Sequence, residues 1–82
     1  MSNVSELIRE SLELYVNKGI PPGGFLKAVL ANDLMYSMAK ADDFNRHNLF
    51  YIVEYIYNEI PANCYGDYET VSNWIKDGGL GK

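Results

Sequence analysis

The stretch Pro21-Pro22-Gly23-Gly24 constrains the fold of this chain more than any other, because good helix formers follow it at once from Phe25. Proline fixes φ and lacks the N–H that a helix interior requires, so no helix continues through the two prolines. The two glycines then allow the backbone to bend sharply. The stretch therefore predicts a stiff turn that separates one helix from the next.

A helix that starts at this turn offers unpaired backbone N–H groups and the positive end of its dipole, and both attract anions. Lys27 lies in the first turn of that helix, where a bound anion would offset its unfavourable position relative to the dipole. Gly23, Gly24 and Lys27 are therefore candidate phosphate contacts. The alternative is a rigid corner between two helices, whose donors bond to water or to a neighbouring loop, and turns of that kind are common.

Apolar residues recur every three or four positions over four segments, which predicts an all-α bundle forming a single domain over residues 1–82. The predicted helices cover residues 2–18, residues 24–39, a third segment from Asp42 or Asp43 to about Ile60, and a short segment between Asp67 and Gly78. Two long antiparallel helices should form the centre of the bundle.

The helix ends are predicted from residues that satisfy backbone groups locally. Ser2 or Asn3 would cap the first helix, and Gly19 would end it. Asp67 would cap the fourth helix, and residues 80–82 should fray.

The third predicted helix is apolar on nearly every side. Its expected inward residues are Leu49, Ile52, Val53, Ile56, Tyr57 and Ile60, and Tyr51 and Tyr55 lie on the opposite side. A helix of that kind is buried on several sides. A chain of 82 residues buries only roughly 60% of its unfolded surface, so it offers few neighbours for such a helix. We therefore predict a homo-oligomer that assembles through this helix.

Charge and composition exclude several classes of protein. The net charge is −4 and the pI is about 4.7, so binding to polymeric nucleic acid through its backbone is not expected. The single cysteine rules out an internal disulfide and a cysteine cluster for zinc, and the single histidine rules out a His-rich metal site. We find no catalytic motif and no cofactor motif, so the prediction is a binding protein rather than an enzyme. No signal peptide and no apolar run of ~20 residues is visible, which favours the cytoplasm over a membrane.

Three more residues are candidates for ligand contact. Tyr15 could stack on a base beside the turn, or it could be an aromatic residue at the edge of the core. Asn32 could form hydrogen bonds with the edges of bases, and Arg46 could bind a base or a phosphate. Asp33 interrupts an apolar stripe, and we expect it to bond to the backbone of another helix or to Arg46 rather than to an anionic ligand. Cys64 is expected to be a packing residue.

Three blocks of the sequence resemble a family of small tailed-phage proteins. The blocks are residues 22–34, residues 41–50 and residues 57–66, the last followed by Val71 and Trp74. The family includes the phage anti-CBASS sponges, small helical proteins that assemble as hexamers and sequester cyclic dinucleotide and trinucleotide signals of host defence. This chain departs from the pattern at Tyr65, where relatives have Trp, and at Asp67-Tyr68, where they have Ser-Pro.

The resemblance implies a protein of the host cytoplasm that binds a cyclic oligonucleotide between protomers without cleaving it. The rival prediction is a small acidic protein that blocks a host enzyme by direct contact, as a mimic of nucleic acid. A mimic should expose its acids along one face, whereas a sponge should have a pocket lined by Lys or Arg at a subunit boundary. A third and weaker interpretation is an enzyme that cleaves the signal.

Overall fold

Helices joined by short turns make up the part of the chain that the computed structural model describes, residues 4–81. Helix accounts for 76% of the chain and no strand occurs within those residues, which confirms the all-α prediction. The described α-helices are α1 (Glu6–Lys18), α2 (Gly24–Leu30), α3 (Leu34–Lys40), α4 (Asp43–His47), α5 (Leu49–Glu59) and α6 (Tyr68–Asp77). Two 3₁₀ turns cover Ala62–Cys64 and Gly79–Gly81. The predicted number of four helices is therefore wrong.

The first helix begins at Glu6 rather than Ser2. Ser5 has an extended backbone, and its Oγ accepts a hydrogen bond from the N–H of Ile8 at 3.2 Å, which caps the helix. The predicted caps Ser2 and Asn3 lie outside the described residues. The predicted end is confirmed, because Gly19 adopts φ 67° and its N–H points to the last carbonyls of the helix.

Each of the two long predicted helices is in fact two shorter helices. Asn32 has φ 64°, a left-handed conformation that a continuing helix does not allow, and Asp33 then caps α3 by accepting from the N–H of Tyr36 at 3.2 Å. The second break lies at Asn48, whose side-chain Nδ2 donates to the carbonyl of Phe44 at 2.8 Å. Local bonds of Asn and Asp therefore interrupt helices that the apolar spacing alone would continue.

The last helix begins and ends where the sequence predicts, but the residues that follow it form a turn that the sequence does not predict. The carboxylate of Asp67 accepts from the N–H of Thr70 at 2.7 Å, and Gly78 ends α6 with φ 79°. Gly79–Gly81 then forms a 3₁₀ turn against the end of α1, and Gly79 is buried there. Residues 80 and 81, which the sequence predicts to fray, belong to this turn, and Lys82 lies outside the described residues.

The core gathers side chains from most of these elements. Its fully buried large side chains include Leu12 and Tyr15 of α1, Leu30 of α2, Ile52 of α5, Cys64 of the first 3₁₀ turn and Val71 of α6. Two residues predicted to point inward from the third helix, Val53 and Tyr57, are instead exposed. That exposure leaves one side of α5 open beside the end of α2.

Candidate functional site

Tyr15 is a core residue rather than a stacking platform. Its side chain is completely buried, its hydroxyl donates to the carbonyl of Cys64 at 2.6 Å, and its own carbonyl accepts from Nε1 of Trp74 at 2.9 Å. Burial raises the pKa of its hydroxyl, and the nearby Cys64 raises it further. Because no face of the ring reaches the surface, Tyr15 is a packing residue, and it lies inside the core rather than at its edge.

Cys64 is buried in the first 3₁₀ turn as a free thiol. Burial raises the pKa of this thiol to about 11, because a thiolate is poorly solvated in the core. A thiol that stays protonated near neutral pH is a weak nucleophile. The packing role predicted for Cys64 agrees with this environment.

The turn between α1 and α2 is open at its two glycines. Gly23 and Gly24 are exposed, and a Cβ built on either one would meet no atom within 4 Å. Gly23 has φ −62°, a value that any residue adopts, so the turn does not depend on a conformation reserved for glycine. Lys27 is half-buried, and its N–H donates to the carbonyl of Gly23 at 2.9 Å as α2 begins.

Arg46 belongs to α4 and lies close to the C-terminal end of α3. Its Nη2 donates to the carbonyl of Ala41 at 3.3 Å and to that of Met38 at 3.5 Å, so the guanidinium caps the helix end. Its Nη1 lies 3.9 Å from Asp43, in an exposed ion pair of the kind that contributes roughly 0–1 kcal/mol. The predicted bond between Asp33 and Arg46 is absent.

Asp33 instead joins α3 to α6. One carboxylate oxygen caps α3, as described above, and the other accepts from the hydroxyl of Tyr68 at 2.7 Å. This hydrogen bond, with burial and the charge of Asp33, raises the pKa of the Tyr68 hydroxyl to about 12. The bond to another element that the sequence predicted therefore exists, but its partner is a side chain rather than a backbone group.

A groove with aromatic walls lies beside Asn32. It is lined by Val29 and Asn32 at the end of α2, by Val53, Ile56 and Tyr57 of α5, and by Tyr65, and it has a volume of about 260 Å³. A smaller cavity of about 50 Å³, shared with Leu34, Ser37 and Leu49, continues from the same residues towards α3. We call the larger space the Asn32 groove.

Two features position the walls of the Asn32 groove. The N–H of Gly66 donates to the carbonyl of Leu30 at 2.8 Å, which holds the loop carrying Tyr65 against the end of α2. Tyr57 follows the buried Ile56 on α5, and 76% of its surface is exposed. The side-chain amide of Asn32 makes no hydrogen bond with any residue from 4 to 81.

The structure brings Asn32 together with two tyrosines that the sequence did not single out. The groove does not include Tyr15, Gly23, Gly24, Lys27 or Arg46 among its lining residues. The sequence places Tyr57 on the core stripe of the third predicted helix and marks Tyr65 only as a departure from the family pattern. No local sequence signal links them to Asn32, because their meeting depends on the helix break and on the loop at residues 65 and 66.

A second surface feature is the exposed apolar strip of α3. The strip consists of Leu34, Met35, Tyr36 and Met38, and the most exposed of these, Met35, shows 78% of its surface. The buried residue of this helix is Ser37, so most of its apolar area faces solvent. Exposed apolar side chains grouped on one short helix are a common feature of contact surfaces in soluble proteins.

A third feature is the acidic face of α1. Glu6, Glu10 and Glu13 are exposed at spacings of four and three residues, which places them on one side of the helix. The pKa of the Tyr55 hydroxyl is raised first by burial and then by the charges of Glu13 and Glu59. Glu13 of α1 and Glu59 of α5 therefore both act on Tyr55, and Arg9 opposes them.

No helix among residues 4–81 is long and apolar enough to span a membrane, and no three His, Cys, Asp or Glu side chains there are grouped to hold a metal ion. Comparisons of the chain with protein-family models, with curated proteins and with solved structures gave no match.

Proposed function

We propose that this chain sequesters a cyclic oligonucleotide of two or three nucleotides, bound at the boundary between copies of the chain and released unchanged. The observation that carries the proposal is the Asn32 groove, where two tyrosines line the same space as an amide that has no hydrogen bond among residues 4–81. Aromatic walls stack on bases of any identity, and amides pair with base edges. The three sequence blocks that resemble the sponge family point to the same class of ligand.

The size of the groove limits what one chain can hold. Pockets for drug-sized ligands measure roughly 300–1,000 Å³, so a groove of about 260 Å³ suits one base rather than a whole cyclic dinucleotide. The rest of the ligand would lie outside the groove, where a second copy could cover it. The exposed strip of α3 supports an assembly of this kind, and the resemblance favours a hexamer.

In this proposal the phosphates are held by the open turn and by Lys27. Lys27 lies within α2, whereas Asn32 follows the end of that helix. Lys27 is also not among the lining residues of the Asn32 groove. We therefore assign it to a ligand whose base occupies the groove of a neighbouring copy. Gly23 and Gly24 would let phosphate oxygens approach the backbone.

We propose no chemical step on the ligand. The Cys64 thiol is buried and protonated, and Nδ1 of His47 is hydrogen-bonded to the carbonyl of Asp43 at 2.8 Å. Neither group is placed to activate a nucleophile beside the groove. Binding alone would remove the signal from its receptor by mass action.

Calorimetric titration with a panel of cyclic dinucleotides and trinucleotides tests the proposal. At least one member should bind, and denaturation followed by chromatography should return it intact. Lys27→Ala should lose roughly ten- to a hundredfold in affinity, the value of a charge-assisted hydrogen bond. Lys76→Ala, an exposed lysine on α6, is the matched control and should bind like the parent.

Two results would contradict the proposal. One is the absence of binding by every member of the panel at chain concentrations where the protein is assembled. The other is linear product that accumulates in proportion to protein, which would support an enzyme.

The acidic face of α1 favours a second candidate, a protein that inhibits a host enzyme by direct contact as a mimic of nucleic acid. Its three aligned glutamates present the repeated negative charge that such a mimic needs. Replacing Glu10 and Glu13 by lysine should abolish anti-defence activity in cells if the mimic is correct. The same variant should keep that activity if the chain works by sequestering a nucleotide.

A further inference from the structure

We infer that the Asn32 groove is a base-reading subsite that selects adenine, an inference that deepens the proposed function and rests on it.

The backbone around Asn32 is satisfied without its side chain. The N–H of Asn32 donates to the carbonyl of Val29 at 3.1 Å, and the N–H of Asp33 donates to that of Ala28 at 2.8 Å. Asn32 is the only residue other than glycine with positive φ among residues 4–81. Asparagine tolerates this conformation, and the turn leaves its amide exposed with no partner in the described chain. The amide is therefore free to bind a ligand.

The walls of the groove suit a flat ring. Tyr57 and Tyr65 each contribute an aromatic ring to the lining, and the aliphatic side chains of Val29, Val53 and Ile56 add apolar surface. Stacking a base on an aromatic side chain typically improves affinity roughly 5- to 150-fold. A flat heteroaromatic ring gains this contact while its edge reaches the amide of Asn32.

The amide distinguishes adenine from other purines by its donor and acceptor. An asparagine amide presents one N–H donor beside one carbonyl acceptor, which match N7 and the N6 amino group of adenine. Hypoxanthine has the same size but carries a carbonyl oxygen at position 6, so its edge offers two acceptors. A correct bidentate pair discriminates by roughly 5- to 150-fold, and this is the preference expected for adenine over hypoxanthine.

The experiment is a nuclear magnetic resonance titration of the full chain with adenosine monophosphate and with inosine monophosphate, each at millimolar concentration. The adenine compound should shift the side-chain amide of Asn32 and the backbone amide of Gly66. The inosine compound should bind at least fivefold more weakly. Equal binding of the two, or no shift at the groove by either, overturns the inference.

Variants of Asn32 separate binding from folding. Asn32→Gly keeps a residue that accepts positive φ, so the melting temperature should hold while the preference for adenine is lost. Asn73→Ala removes an exposed amide of α6 that does not line the groove, and it should keep the preference. If Asn32→Gly discriminates as well as the parent, the amide does not read the base.

A parallel titration with cyclic di-adenosine monophosphate separates this inference from the proposed function. Binding of the cyclic compound without a difference between the two mononucleotides would refute the subsite alone. Selective binding of the adenine mononucleotide, with no binding by any cyclic compound, would refute sequestration and retain the subsite.

Discussion

Replacing Tyr15 by phenylalanine removes one hydroxyl from the core and nothing else. That hydroxyl donates to the carbonyl of Cys64 at 2.6 Å, and both residues are completely buried. The carbonyl of Cys64 has no other partner among residues 4–81. The substitution therefore leaves a buried acceptor without a donor.

The expected loss follows from that unsatisfied carbonyl. Leaving a buried polar group unpaired costs about 1–3 kcal/mol. A domain of this length has a free energy of unfolding of roughly 4–12 kcal/mol, so the variant should still fold. Its melting temperature should fall by about 4–8 °C for each kcal/mol lost.

The assay is urea denaturation followed by circular dichroism, at one fixed chain concentration because assembly would add to apparent stability. Tyr57→Phe is the matched control, since it removes the hydroxyl of an exposed tyrosine that has no described hydrogen bond. The free energy of unfolding of this control should stay within about 0.5 kcal/mol of the parent value.

A loss below about 0.5 kcal/mol for Tyr15→Phe would refute this reasoning, because it would equal the scatter of neutral surface changes. An unchanged m-value should accompany the expected loss, since the surface exposed on unfolding is nearly the same. A changed m-value would mean that the substitution altered the denatured or native ensemble instead.

Two further predictions concern the packed chain end and the buried thiol. Gly79→Ala should be destabilised by more than about 1 kcal/mol, because Gly79 has φ 67° and an added Cβ would lie 2.6 Å from the N of Gly19 and the O of Val16. Gly24→Ala should be neutral or slightly stabilising, since nothing lies within 4 Å of its added Cβ, and a thermal melt that ranked the two variants equally would contradict both expectations. Cys64 should resist iodoacetamide at pH 8 in the native chain and react rapidly in urea, because burial raises its pKa to about 11 and the thiolate is the reactive form. Equal rates in the two conditions would show that the thiol is accessible.

The helix ends that depend on neighbouring residues were predictable from the sequence. Asp42 and Asp67 cap α4 and α6 because each carboxylate reaches an N–H three residues ahead. Gly19 and Gly78 end α1 and α6 because glycine accepts the left-handed conformation without cost. These choices are local, so a single sequence contains them.

The helix breaks at Asn32 and Asn48 were not predictable from apolar spacing, because that spacing runs through both positions. At each position the backbone can continue the helix or break it. The two conformations differ by a few hydrogen bonds, because local bonds of Asn and Asp side chains compete with those of the helix. Contacts with other elements can settle a difference of that size. The hydroxyl of Tyr68 on the carboxylate of Asp33, 35 residues apart, is one such contact.

Tyr15 and the Asn32 groove show what only the tertiary structure could decide. The sequence allowed Tyr15 to be a core residue or a stacking surface, and its bond to the carbonyl of Cys64, 49 residues away, places it in the core. Asn32 was a candidate on its chemistry alone, whereas its position beside Tyr57 and Tyr65 required α2, α5 and the loop at residue 66 to meet. Composition and spacing determined an all-α chain with defined caps. Which aromatic rings are buried and which reach the surface was set by long-range packing, because burial depends on neighbours that the local sequence does not name.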